Sequence, residues 1–247
     1  MHIIAVLVAA GPGTRLGAGE PKAFVPVCGV PLMTHALRSL LAESRVSAAV
    51  VACPVGEVER SRSILDAHGP WRCPVDVVEG GAERQDSVRA ALMHAGAADL
   101  IAIHDAARPF VGRDVVDAVL RSAERHGAAI VAVPSTDTVK RVDEGERIVD
   151  TLPRERIWLA QTPQAFRADL IRAAHAEAYA AGITATDDAA LVERLGAPVH
   201  VVRGNPENRK ITTPEDLRWA ESFLQRSRRG AGQRSRRGAG LRSSAPR

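Results

Sequence analysis

The sequence predicts an α/β protein, a mostly parallel sheet with helices on both faces. Short apolar runs rich in β-branched residues alternate with segments of helical period. Apolar residues make up 45% of 247 residues, ample for one large core. The first run ends in a glycine-rich loop, and ligands in such sheets sit beyond the carboxyl ends of the strands.

Strands are expected near Ile3–Ala9, Ala48–Ala52, Val75–Glu79, Leu100–His104, Ala129–Pro134 and Val199–Val202. Between Pro31 and Ala42, the residues Leu32, Met33, Ala36, Leu37, Leu40 and Leu41 form one stripe at helical period. Val88, Ala91, Leu92 and Ala95 form another. The last helix opens on Thr213 as N-cap, Pro214 in the first turn and Asp216 three residues after the cap. Asp137 to Asp150 breaks the rhythm. It is polar, with TVKRV and RIV flanking an acidic turn, and reads as a β-hairpin that projects from the domain. An isolated hairpin is marginal in water, so a second copy of the chain is expected to hold it.

Residues 1–225 therefore form one domain with a β-arm at about 135–155, and 226–247 form an Arg/Gly/Ser-rich tail. The tail repeats RSRRGAG and is expected to be disordered, because it has almost no apolar surface to bury. It holds eight arginines and no acid, so the net charge of +4 becomes −4 without it. The folded part carries no bulk signal for nucleic acid. A weak contact of the tail with RNA or anionic lipid is the sharper alternative to a solvated extension. Three widely spaced cysteines, Cys28, Cys53 and Cys73, argue against a disulfide framework and fit a reducing cytoplasm. The apolar start lacks a basic flank and reads as a strand rather than a signal peptide, and no run approaches a membrane span.

The loop after the first strand, GPGTRLGAGEPK, offers backbone N–H groups at Gly11, Gly13, Gly17 and Gly19 and two cations, Arg15 and Lys22. Leu16 stands where a dinucleotide fingerprint needs its third glycine, and Pro21 and Ala23 flank Lys22 where a Walker A loop needs glycine and a hydroxyl residue. The loop is then a phosphate cradle of another kind, with an ordinary glycine-rich turn as the competing reading. Lysine is scarce: Lys22, Lys140 and Lys210 stand against 30 arginines, which reads either as chance or as a mark of places that need a compact ammonium.

Two further constellations follow predicted strands. His104-Asp105-Ala106-Ala107-Arg108-Pro109 puts Asp105 at the sheet edge, where a carboxylate holds Mg²⁺ beside phosphates or, alternatively, caps the next helix. His104 reads as structural. Gly80-Gly81-Ala82-Glu83-Arg84-Gln85-Asp86-Ser87 opens a helix with Arg84 and Ser87 on one face, which suits a base or phosphate contact or simply a cap with a solvated arginine. The pair Asp187-Asp188 reads as a helix cap. Neither a nucleophile elbow nor an HExxH helix is present in the sequence.

Taken in order, GPGTRLGAGEPK, GGAERQDSV, HDAARP, DTVKR, QTPQAF, TDDA and NRKIT resemble the isoprenoid-pathway cytidylyltransferase family that acts on methylerythritol phosphate. The resemblance spans Ile3 to Leu224, and the loop alone also suits sugar-1-phosphate nucleotidyltransferases. It implies a Rossmann-like nucleotidyltransferase fold and a Mg²⁺-dependent, cytoplasmic enzyme. It also implies CTP and methylerythritol phosphate as substrates and a homodimer joined through the arm. By position, Arg15, Lys22 and Lys210 are the implied catalytic cations. Ala10, Gly11, Gly13, Gly80, Gly81, Arg84 and Ser87 are implied to bind the nucleotide. Asp105, Arg108, Thr138, Arg154 and Thr162 are implied to bind the acceptor, Asp105 also holding the metal. Ala82 stands where some relatives carry Asp, so a base contact through that side chain is lost. Rival readings are a cytidylyltransferase for another polyol phosphate such as ribitol 5-phosphate, a molybdopterin or sugar nucleotidyltransferase, and a non-catalytic nucleotide-binding module.

Overall fold

Alternation along the first strand sets the architecture. In β1 (Ile3–Val8) the side chains of Ile3, Ala5 and Leu7 point to one face of the sheet and those of Ile4 and Val6 to the other, and all five are buried. A strand apolar on both faces needs a helical layer on each side. On the first face lie α1 (Leu32–Leu41), α2 (Val58–Ala67) and α4 (Arg113–His126), contributing Met33, Leu37, Leu40, Leu65, Val116 and Leu120 to the core. The second face packs on α3 (Arg84–His94), α5 (Ala168–Ala180) and α6 (Asp188–Arg194), through Val88, Leu92, Ile171 and Val192. The computed structural model describes residues 1–240 except 12, 14, 15 and 18, with side chains described as far as residue 227.

Seven strands form the sheet. They include β4 (Val46–Cys53), β5 (Val75–Glu79), β6 (Leu100–Asp105), β7 (Ala128–Pro134), β10 (Trp158–Arg167) and β11 (His200–Arg203), in the order β11-β7-β10-β6-β1-β4-β5. All six expected strands are present, and the sheet is mostly parallel as expected. The exception is β10, which runs antiparallel between β6 and β7 and was not expected from the sequence. Its central residues Gln161, Thr162, Pro163 and Gln164 are polar or lack a donor, so no apolar run announces a strand. The ladder with β7 breaks between Ala160 and Gln164.

A third, smaller core joins Leu16 and the segment after it to the C-terminal helix. Leu16, Val25, Val27, Leu32, Ile211 and Ala220 are buried together, with Phe110, Leu217, Trp219 and Leu224 packed against them. Val25 and Val27 belong to or adjoin β2 (Pro26–Val27), which forms a tight hairpin with β3 (Val30–Pro31). Ala220 and Leu217 come from α7 (Pro214–Gly240). That helix begins as the sequence predicts: Asp216 N–H donates to Thr213 Oγ1 at 3.3 Å, and Thr213 N–H donates back to Asp216 Oδ2 at 3.0 Å. Burial pushes the Asp216 carboxyl up, but donors from Thr212 and Thr213 and the charge of Arg209 outweigh it and bring it down to about 2. The helix carries on into the arginine-rich segment. The side chains from 228 on and all of 241–247, where disorder was expected, lie outside the described residues.

The expected hairpin is formed by β8 (Val139–Val142) and β9 (Ile148–Leu152), which pair with each other and with no strand of the large sheet. Its turn is closed by Asp143, whose Oδ1 accepts from the N–H groups of Gly145 and Arg147, both at 3.0 Å. Val142, Ile148 and Val149 are exposed on it, and Leu159 is exposed at the start of β10.

Phe166 is fully buried near the end of β10. Phe166→Ala is expected to lower the unfolding free energy by about 3–5 kcal/mol, the usual cost of emptying such a site. Urea denaturation checks this, and a loss below about 1 kcal/mol would show that the core collapses around the gap.

Candidate active site

The carboxyl ends of β1, β5 and β6 open into one cleft of about 290 Å³. Its walls are Ala9 to Gly11 and Gly13 from the first loop, Lys22 and Ala23, Gly81 to Arg84 with Ser87 from the start of α3, Asp105 to Ala107, and Lys210. Elements far apart in sequence converge here because each strand ends at the same sheet edge. Two close approaches require glycine. A Cβ on Gly80 would stand 2.5 Å from the Ala10 Cβ and 2.9 Å from the Cys53 carbonyl oxygen, so the crossover after β5 lies directly against β1 and β4. Gly13 has φ +70°, and a Cβ there would stand 2.5 Å from the Lys22 Cβ. Gly13 thus lies directly against Lys22.

The charges in the cleft are organised around Asp105. Its Oδ1 accepts from Arg84 Nε at 3.1 Å, and its Oδ2 accepts from Lys210 Nζ at 2.7 Å. The Arg84 fork also donates through one terminal nitrogen to Asp188 Oδ2 at 2.8 Å. Burial alone would raise the Asp105 carboxyl, but the charges of Arg84 and Lys210 overcome it and hold the group well below the usual carboxylate range. Burial likewise weakens the Arg84 guanidinium, and Asp188 and Asp105 more than compensate, so it stays charged. Lys22 Nζ donates to the Ile211 carbonyl at 2.9 Å, which ties the glycine-loop lysine to the segment carrying Lys210.

Beneath Asp105 lies a buried layer of hydrogen bonds. His104 is fully buried, and its Nε2 sits 2.9 Å from the Arg108 carbonyl oxygen. A carbonyl only accepts, so Nε2 carries the proton and Nδ1 is left to accept from the Thr162 hydroxyl at 2.9 Å. Thr162 Oγ1 in turn accepts from the Asp105 N–H at 3.0 Å. Asn208, also buried, donates to Gln161 Oε1 at 3.1 Å and to the Thr162 carbonyl at 2.8 Å. These bonds join β6, β10 and the segment before Lys210 into one floor. Burial pushes the His104 imidazole down to about 4.

The structure gathers most of the expected residues. Ala10, Gly11, Gly13, Gly81, Lys22, Arg84, Ser87, Asp105 and Lys210 line the cleft, and Gly80 packs behind it. Two of the three lysines, Lys22 and Lys210, stand in the cleft. The third, Lys140, lies on the arm and donates to Thr151 Oγ1 at 2.7 Å. Ser87 is buried, with its hydroxyl donating to the Glu83 carbonyl and accepting from the Gly81 N–H, both at 3.1 Å. Thr162 and Arg108 lie outside the cleft lining. Thr162 sits in the floor, and Arg108 donates to the Asn208 carbonyl at 2.8 Å. Thr138 and Arg154 are exposed at the arm. Arg15 falls outside the described residues. Sequence reasoning missed Asp188: its neighbour Asp187 does cap α6, accepting from Ala190 N–H at 3.0 Å, while Asp188 is buried and pairs with Arg84. Adjacent acids at a helix start give no signal that distinguishes the two roles.

A cleft lined by Lys22, Arg84 and Lys210 at this edge of a Rossmann-like sheet defines a phosphate-handling α/β protein. Known proteins narrow the class. The family model of 2-C-methyl-D-erythritol 4-phosphate cytidylyltransferase (IspD) matches residues 3–226. The enzyme of that name from Acidobacterium capsulatum is 45% identical over 93% of this chain and all of its own length, and that from Bacillus licheniformis is 40% identical over 93% and 98%. The crystal structure of the Thermus thermophilus cytidylyltransferase superposes with a TM-score of 0.72 at 40% identity, covering 91% of this chain and 100% of that one. 4-Diphosphocytidyl-2C-methyl-D-erythritol synthase from Anaerococcus prevotii gives 0.80 at 28% identity, covering 91% and 98%. The chain belongs to the 2-C-methyl-D-erythritol 4-phosphate cytidylyltransferase family.

The buried His104 links stability to pH. Its folded pKa is lowered from 6.5 to about 4, so between those values the unfolded chain holds a proton that the folded one does not. Stability is expected to be full above about pH 6.5 and to fall by roughly 3 kcal/mol as pH drops toward 4. Urea titrations across that range check this, and His104→Gln should flatten the limb. A wild-type profile without it would mean that the ring charges without unfolding the floor.

Proposed function

We propose that this chain transfers CMP from CTP to 2-C-methyl-D-erythritol 4-phosphate and releases pyrophosphate. The observation that carries the reading is the convergence of Lys22, Arg84 and Lys210 with Asp105 at the glycine-loop edge, in a chain of this family. The acceptor phosphate is a monoester with its second pKa near ~6, so it is largely dianionic at neutral pH. Its oxygen attacks the α-phosphorus of CTP in line, a bond forms there, and the bond to the pyrophosphate oxygen breaks. No protein base is required, in keeping with a His104 committed to the floor by both ring nitrogens. Lys22 and Lys210, with Arg15, neutralise the charge that spreads over the phosphate oxygens, and the loop N–H groups orient them. We assign to the nucleotide the side of the cleft lined by Gly81 and the start of α3, with Gly80 packed behind it.

Asp105 fits a divalent ion of the Mg²⁺ type. Such ions take one or two carboxylates and complete their shell with phosphate oxygens and water, and no cluster of three His, Cys, Asp or Glu side chains competes for that role among the described residues. When bound, the ion supplies Lewis-acid charge neutralisation on the phosphates. Asp105 would hold it, in exchange for part of its present pairing with Arg84 and Lys210.

We assign the arm to a homodimer contact. The exposed Val142, Ile148, Val149 and Leu159 support this, since an isolated hairpin with an apolar surface gains stability when covered. Thr138 and Arg154 would then face the acceptor held by the other subunit. A cytoplasmic location is supported by three free cysteines. No described helix is long and apolar enough to cross a membrane.

Pyrophosphate release from CTP and Mg²⁺ is expected with methylerythritol 4-phosphate and not with ribitol 5-phosphate. The reverse preference would move the chain to another polyol acceptor. Lys22→Ala is expected to lower kcat by about 10²-fold or more, and Lys22→Arg should also be impaired because a planar fork replaces a compact ammonium. Normal turnover by Lys22→Ala would remove the assignment. Ile148→Glu should shift the dimer toward monomer in light scattering, and an unaltered mass would place the dimer contact elsewhere.

A further inference from the structure

Arg84, on the wall of the cleft, touches two carboxylates. Its Nε meets Asp105 at 3.1 Å and a terminal nitrogen meets Asp188 at 2.8 Å. Asp188 is almost wholly buried, with its side chain 1% exposed, and does not line the cleft. It is held on three sides. His175, 2% exposed on α5, brings its Nε2 within 3.1 Å of Asp188 Oδ1, and because a carboxylate only accepts, that nitrogen is the donor. Gln164 of β10 accepts through Oε1 from the N–H groups of Asp188 and Ala189 at 3.2 and 3.1 Å, and its Nε2 donates to Asp187 Oδ2 at 2.8 Å. The start of α6 is thereby pinned to the sheet.

We infer that Asp188, with His175 behind it, is a positioning residue that fixes the Arg84 fork across the nucleotide side of the cleft. The geometry carries the inference through an unbroken row: His175, Asp188, Arg84, Asp105 and Lys210, each within 3.1 Å of the next. A guanidinium held at one corner by Asp105 alone could rotate about that contact. A second carboxylate on another of its nitrogens removes the freedom, since the fork is planar and its donors have fixed directions. Asp188 also competes for Arg84. Without its charge the guanidinium turns fully to Asp105, which then has less capacity left for anything else. The buried carboxylate therefore sets both where Arg84 points and how much of Asp105 remains open to ligand.

The role rests on the nucleotidyl-transfer reading for the identity of the ligand, but its test needs only CTP binding. Calorimetry of CTP without acceptor is the first readout, with Asp188→Asn, His175→Phe, Arg84→Ala and the double variant Arg84→Ala/Asp188→Asn. Asp188→Asn is expected to weaken CTP binding by about 10- to 100-fold, the usual range for a residue that orients a ligand-contacting one. His175→Phe should weaken it less, and His175→Gln, which keeps a donor, should recover part of the loss. The double variant separates positioning from general stability. If Asp188 acts through Arg84, its substitution in the Arg84→Ala background costs no further affinity. The double variant should also melt above Arg84→Ala, because it removes a buried carboxylate that has lost its partner. Wild-type CTP affinity in folded Asp188→Asn, or losses that add in the double variant, overturn the inference. Should Asp188→Asn not fold, His175→Phe and His175→Gln carry the same comparison. A wild-type protein that binds CTP but forms no product with methylerythritol 4-phosphate would sink the functional reading while leaving this one standing.

Discussion

A carboxylate taken out of water must be paired, and that requirement at Asp105 organises the ligand-binding half of the molecule. Its residue is 7% exposed at the end of a strand buried on both faces. Leaving it there unpaired would cost several kcal/mol. Arg84 and Lys210 pair it, and each brings its own segment to the sheet edge: Arg84 fixes the start of α3, and Lys210 fixes the stretch before α7. The same stretch, through the Ile211 carbonyl, receives Lys22. A single buried charge thus accounts for where Arg84 and Lys210 stand, and Lys22 is tied to the segment that carries Lys210.

The layers on either side were legible because the physics behind them is local. Strands buried on both faces must be short apolar runs, and helices packed on one side must show a stripe, so β1, β4, β6 and α1 could be read directly. The cap of α7 was equally visible, because Thr213 and Asp216 satisfy each other's backbone within one turn.

What was not legible depends on distant partners. β10 sits in the middle of the sheet, yet Gln161, Thr162 and Gln164 give it no apolar signature, because their side chains serve α6, His104 and Asn208 rather than a hydrophobic layer. Asp188 looked like half of a capping pair, and only the folded chain brings Arg84, 104 residues away, within 2.8 Å of it. The Thr162 hydroxyl joins the Asp105 N–H to His104 in the floor, and nothing local in the sequence marks that link. Such roles are properties of a meeting point between segments and leave no local pattern.

The distribution of lysine also makes the protein unusually addressable by amine chemistry. A chain of 247 residues normally offers an acylating reagent a crowd of surface amines, but here the side-chain targets number three. Lys22 and Lys210 stand on the cleft walls and Lys140 on the arm. A mild acylating label read out by peptide mass therefore reports on the cleft and the arm with little background, and Lys140 serves as an internal reference against which shielding of the other two by a bound nucleotide can be scored.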